Sequence, residues 1–205
     1  MKKKVPIEVR TQVANEDPEH GILESIQVKI LALGHDSDSI SAIRVEFSSE
    51  VDLFFHYVHS MEDQNFKIVQ GKQKLMVPFT EYPNILVRMF NAVIREPHTH
   101  LAILILYGQN QARLDFIQNM EYKFVELMSC NLIRSPDEIV QHQITFRYNS
   151  MKQRLAIMQS RLHEINTLVK TKNPSLLLQL QKTVMNNSNN GLNTTNNSNV
   201  SDKRR

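Results

Sequence analysis

The chain has 205 residues, with 24 Lys+Arg against 21 Asp+Glu, 41% apolar residues, one Cys, no Trp and five Gly. Of its formal +3, Lys2, Lys3 and Lys4 hold three charges and Asp202, Lys203, Arg204 and Arg205 a net two, which leaves −2 for residues 5–201. A body without a basic stripe suits no row of duplex phosphates, one Cys excludes an internal disulfide framework, and no apolar run nears the ~20 residues of a membrane span.

Residues 1–4 read as a basic extension. The following VPIEVRT alternates and lacks the apolar core of a signal peptide, so a soluble cytoplasmic protein is expected. Residues 5–148 read as one β-rich domain, because apolar residues recur at every second position. Val5, Ile7 and Val9 make the first such run, then Ile26, Val28 and Ile30, then Ile43, Val45 and Phe47, then Leu75, Val77 and Phe79. The stretch 52–64, around Phe54, Phe55 and Tyr57, reads as a helical turn or two. After Pro83, apolar residues at 85, 86, 89, 90, 93 and 94 form a helical stripe that ends before Pro97. Leu101–Tyr107 is a continuous apolar run, as in a strand buried on both faces. Leu114 and Phe116, then Tyr122–Met128, then Ile144, Phe146 and Tyr148 complete the predicted strands.

From residue 148 the period changes. Tyr148, Met151, Leu155, Met158, Leu162, Ile165 and Val169 are spaced alternately three and four apart, a heptad seam with Met, Met and Ile at d. Lys172 occupies the next d position, so the seam stops. Asn173-Pro174 then breaks the helix and opens a short new one within residues 149–185. The flanking Lys152, Arg154, Gln159, Arg161 and Asn166 form no complementary charge pairs, so the stripe suits either a weak dimer or packing on the β domain. Residues 186–205 are Asn/Ser/Thr-rich and are expected to be disordered.

No catalytic, cofactor or metal site is expected. The glycines at 21, 34, 71, 108 and 191 form neither GxGxxG nor GxxxxGK[ST]. Cys130 lacks a Cys-His context, and His98 with His100 supplies two ligands where structural zinc takes four. His56 and His59 lie beside an aromatic cluster without a partner acid at a telling spacing, and Glu62-Asp63 reads as a solvated turn. One segment is more pointed. Residues 129–138, SCNLIRSPDE, read as a polar loop that holds Leu132 and Ile133, two aliphatics that either tuck inward or protrude toward a partner.

The order of AspLeuPhePheHisTyr at 52–57, GluAsp at 62–63, GlnGly at 70–71, alternating Leu75, Val77 and Phe79, Pro83 before the 84–95 helix, and a heptad helix after the last strand resembles the spindle assembly abnormal protein 6 family. The similarity covers roughly residues 5–165. That family builds the cartwheel of centrioles and basal bodies. The resemblance implies an α+β fold: a seven-stranded β-barrel head with a helical insertion, then a C-terminal helix that pairs in parallel. It also implies a loop between late strands that carries an apolar knob, commonly Phe, which enters a pocket on a second head so that dimers join into rings. Laid on this sequence, the knob falls at Ile133, with Leu132 the neighbouring candidate, and neither is aromatic. The short seam is more similar to a "6-like" subgroup without the long stalk, associated with the flagellar base or the apical complex.

The expectation is a structural, self-associating protein of the microtubule cytoskeleton, with itself and other centriolar, basal-body or apical proteins as partners, and neither nucleic acid nor membrane insertion. Two rivals come from other classes. A pleckstrin-homology-like lipid module needs a Lys/Arg-rich loop after the first strand, yet residues 14–21 read AlaAsnGluAspProGluHisGly, which is acidic. A DNA end-joining scaffold shares the head-and-stalk architecture, but only the terminal Lys and Arg residues favour nucleic acid.

Overall fold

The two-residue period does fold into sheet, and the seven described strands close on themselves. The computed structural model describes residues 1–12, 21–34, 40–108, 110–172 and 175. In chain order the elements are β1 (Lys2–Gln12), β2 (Ile22–Gly34), β3 (Ile40–Ser48), β4 (His56–Glu62), α1 (Asp63–Gln73), α2 (Tyr82–Arg95), β5 (His100–Tyr107), β6 (Gln111–Met120), β7 (Lys123–Arg134) and α3 (Asp137–Lys172), with a 3₁₀ turn at Phe79–Glu81. The strands form a closed barrel in the order β1-β2-β3-β4-β7-β6-β5. Neighbours pair antiparallel except β1 and β5, whose parallel ladder from Glu8↔Ile103 to Gln12↔Tyr107 closes the ring. Closure removes the free sheet edges that otherwise invite aggregation.

Alternation sends Val5, Ile7, Ile26, Val28, Ile43, Val45, Phe47, Leu114, Phe116, Met128, Cys130 and Leu132 into one core. The α2 helix joins that core with Tyr82, Leu86, Phe90 and Val93, spaced four, four and three apart along one face. The Phe90 ring meets Phe116 edge-on at 5.0 Å and Phe47 at 6.1 Å. Beside them Phe66 of α1 packs against Tyr82 at 4.9 Å and Phe79 at 5.4 Å.

Several expectations need correction. Lys2, Lys3 and Lys4 are not a loose extension but the start of β1, paired with residues 27–29 of β2. There Lys4 meets Glu50 at 2.7 Å and Lys3 donates to Asn91 Oδ1 at 2.6 Å. Within the stretch 52–64, residues 56–62 form β4 and helix starts only at Asp63; the alternation was concealed because His59 holds the inward position between Tyr57 and Met61 while His56 is buried from the other face. Leu75 and Val77 lie in a linker, where Gln70 Nε2 donates to the Val77 carbonyl at 2.8 Å and takes the place of a strand partner. Ile144, Phe146 and Tyr148 belong to α3, which starts after Ser135-Pro136 with Asp137 and Glu138 in its first turn, where carboxylates suit the exposed N–H groups. Asn173, Pro174, residues 176–185 and the 186–205 tail, like the acidic loop 14–20, lie outside the described residues.

The chain divides into two units, Met1–Thr145 and a second that begins at Phe146. The first holds the barrel, α1, α2 and the start of α3. The described part of the second is helix throughout 146–172.

Candidate functional site

Any chemistry in the barrel would start from its buried polar groups. His59 Nδ1 lies 2.8 Å from the Asn131 carbonyl, an obligate acceptor, so Nδ1 carries the proton. Its Nε2 then accepts from the Tyr82 hydroxyl at 3.0 Å, and the Tyr82 oxygen is left to accept from the Cys130 thiol at 3.5 Å. Burial drives all three toward their neutral forms. It lowers the His59 pKa, raises that of Tyr82, and pushes the Cys130 thiol up to about 12. A thiol so held is no nucleophile. His56 Nδ1 pairs with Ser135 Oγ at 2.8 Å, and the buried Asp115 takes Arg113 Nη2 at 2.8 Å. Among the described residues no three His, Cys, Asp or Glu side chains group so as to hold a metal, and no helix is long and apolar enough to cross a membrane.

What the first unit does present is apolar surface in two forms. The segment containing Leu132 and Ile133 is not a loop: β7 runs on to Arg134, with Leu132 opposite Ala112 and Ile133 opposite both Gln111 and Val58. Strand alternation therefore divides the two candidates. Leu132 points into the core at 1% exposure and is unavailable to a partner, whereas Ile133 faces outward at 66%. Ile133 nonetheless lies flat within a sheet, paired on both sides.

The loop between late strands is elsewhere. β6 and β7 join through a two-residue turn, Glu121-Tyr122, between the paired Met120 and Lys123. Tyr122 is 95% exposed at that tip, flanked by exposed Met120 and Phe124. Tyr122, expected from sequence to be the first residue of a strand, is a turn residue. Its signal was the Asn119–Tyr122 break between two alternating runs, the place where a hairpin turns.

Back along the same hairpin, a cavity of about 180 Å³ opens between α2 and the sheet. Met89, Ala92 and Val93 form its helical wall, Phe116, Ile117 and Leu127 its sheet wall, with Arg88 and His100 among the polar lining. A register shift at Phe116/Ile117 marks a β-bulge there. Bulges twist the strand locally and re-aim side chains, which places Ile117 and Leu127 in the wall. Apolar cavities of ~150 Å³ accept a benzene ring, so this one has room for an aromatic side chain.

In the second unit the heptad residues Tyr148, Met151, Leu155, Met158, Leu162 and Ile165 are each more than half exposed, and Val169 is partly so. Ile144, one step earlier in the three-four spacing, extends the same pattern back into the first unit.

A closed barrel with a helical insertion and a following helix whose heptad residues are exposed defines a class by architecture: a β-barrel head joined to a coiled-coil-type helix. The chain belongs to the family described as the centriolar protein SAS N-terminal domain, whose profile matches residues 1–132. Solved structures agree in fold. An N-terminal fragment of Leishmania SAS-6 containing part of its coiled coil superposes with a TM-score of 0.66 at 16% identity, over 89% of this chain and 98% of that one. A fragment of Drosophila melanogaster Sas-6, dimerised via its coiled-coil domain, gives 0.66 at 11% identity over 92% of each chain. The N-terminal coiled-coil dimer of C. elegans SAS-6 gives 0.62 at 12% over 78% and 93%. Among curated protein sequences none matches significantly. The α+β class expected from sequence, a seven-stranded barrel with a helical insertion and a C-terminal helix, is the fold observed.

Proposed function

We propose that this protein is a structural subunit of the centriole or basal-body cartwheel, or of a related assembly at the flagellar base or apical complex, which polymerises through two surfaces of its own. The first is the α3 seam from Tyr148 to Val169, which joins two chains in parallel. The second joins barrels. The observation that carries this reading is Tyr122, a fully presented aromatic on a hairpin whose own strands wall an apolar cavity.

With knob and cavity on one hairpin, a two-fold arrangement of two copies seats each Tyr122 in the other's cavity, the reciprocal contact of an isologous interface. Arg88 at the cavity offers its guanidinium to the ring face, a favourable cation–π partner, and the Tyr hydroxyl keeps a route to water. The barrel contact thus moves from Ile133, a flat strand position, to the protruding Tyr122. Two weak contacts suffice, because a chain held by one meets the next at high effective concentration. The seam ends at Val169, which favours the short subgroup over long-stalked relatives, and partner proteins are expected among centriolar, basal-body or apical components.

Analytical ultracentrifugation of the full chain tests this. Tyr122→Glu should arrest assembly at dimers while the β circular dichroism is unchanged. If Ile133→Glu disperses the larger species and Tyr122→Glu does not, the contact lies on the β7 face instead. If neither does, barrel-to-barrel association through this hairpin is wrong.

A further inference from the structure

The barrel closes at one place almost without a ladder. β4 and β3 pair over seven positions, but β4 and β7 pair only at Tyr57↔Arg134 and Val58↔Ile133. Continued in register, that ladder would set His59, Ser60, Met61 and Glu62 opposite Leu132, Asn131, Cys130 and Ser129, and none of these pairs forms. The chain instead leaves the sheet at Glu62 and becomes α1.

Along this stretch β4 stays paired with β3 alone, and side chains occupy the places of the missing β4–β7 pairs. The last residue of α1, Gln73, donates from Nε2 to the Ser129 carbonyl at 2.8 Å and accepts the Ser129 N–H on Oε1 at 3.0 Å. Exchange of both bonds with one residue is what a hydrogen-bonded antiparallel neighbour does; here a primary amide does it in place of a peptide group. Nε2 also reaches Ser129 Oγ at 3.1 Å. One step along, His59 takes the Asn131 carbonyl. Lys74 follows Gln73 in the left-handed region at φ 53° and ends the helix so that the amide stays at the strand.

Position gives the clamp its consequence. Ser129 stands two residues from Leu127 in the cavity wall and seven from Tyr122. Between them β7 is laddered to β6 alone. A strand tied on one edge is free to twist and fray, which would reshape the wall and the hairpin together. We propose that Gln73 is a positioning residue for self-assembly: its side-chain amide acts as a surrogate strand that fixes β7, and through β7 the cavity wall and the Tyr122 hairpin, without touching the partner. This rests on the barrel contact proposed above, and the experiment separates the two.

The full chain is compared with Gln73→Met, which keeps the length and loses both bonds, by amide hydrogen exchange and by the concentration at which dimers assemble further. In the unsubstituted protein Ser129 N–H should exchange as slowly as the ladder amides of β6; exchange at an open-strand rate overturns the clamp, whatever the variant does. In Gln73→Met, Ser129 exchange should accelerate and assembly should require about tenfold more protein, the loss of two hydrogen bonds. Gln73→Glu, which accepts but cannot donate, should fall on the same side. Faster exchange with unaltered assembly overturns the positioning role. If Tyr122→Glu leaves assembly unaltered while Gln73→Met weakens it, the clamp stands and the Tyr122 contact fails.

Discussion

The barrel and the second unit's helix use the same apolar residue types to opposite ends. In the barrel every large side chain at an inward position has neighbours within the chain, down to the Phe47, Phe90 and Phe116 rings, all about 1% exposed or less. Along α3 from Phe146 to Lys172, Leu155, Met158, Leu162 and Ile165 stand in water. An isolated helix gains little from propensity alone and draws its stability from burial of an apolar face. The barrel is therefore stable by its own contacts, and the helix depends on whatever covers its stripe, which in the proposed assembly is a second copy.

Core truncation should show the largest effect and sharpen that division. Phe90→Ala removes a fully buried ring that touches two others, at a cost of ~3–5 kcal/mol. By differential scanning calorimetry the barrel transition should fall by roughly 10 °C, while crosslinking through α3 persists. Loss of the helix dimer with the barrel would show that the two are not independent.

The seam offers the reverse experiment. Leu155→Asp with Leu162→Asp places charges at two a positions, and each leucine is worth ~1.5–3 kcal/mol when buried. Dimerisation should weaken at least about 100-fold by sedimentation, and far-ultraviolet helix signal should fall, with barrel melting unchanged. Retained dimers would end the proposal that α3 pairs.

The smallest expected effect is a pH slope confined to the barrel. Burial holds the His59 pKa below its ordinary 6.5. In the window between the two values the unfolded chain binds the proton and the folded one does not, so stability falls as pH falls. Melting at pH 5 should be lower than at pH 7, and His59→Gln should flatten that difference even if it melts lower at both. An identical slope in the variant would remove His59 as its source.

How much of this was legible beforehand depended on whether a residue's role was set by its neighbours in sequence. The 85–94 stripe and the 148–169 seam were, since helical spacing is local. β4 was not, because His56 and His59 break the alternation and are tolerated inside only through Ser135, Asn131 and Tyr82. Nor was the start of α3, although SerProAspGlu at 135–138 carries the signs of a helix N-terminus. Of the interface candidates, the heptad residues from Tyr148 to Ile165 stand exposed along α3, Ile133 is exposed on β7 and Leu132 is buried. Leu132 and Ile133 are adjacent and chemically alike, and only the β7 register sends one inward and the other out.

Local spacing thus determined the two-residue alternation, the helical stripe, the heptads, and through an ordered set of short motifs the family. Only the folded chain decided which loop is a turn, that Tyr122 stands at its tip, that a cavity lies on the same hairpin, and that Gln73 meets Ser129 across 56 residues. Such contacts depend on where distant segments come together, and the free energy that selects them is summed over the whole core and written in no single stretch of residues.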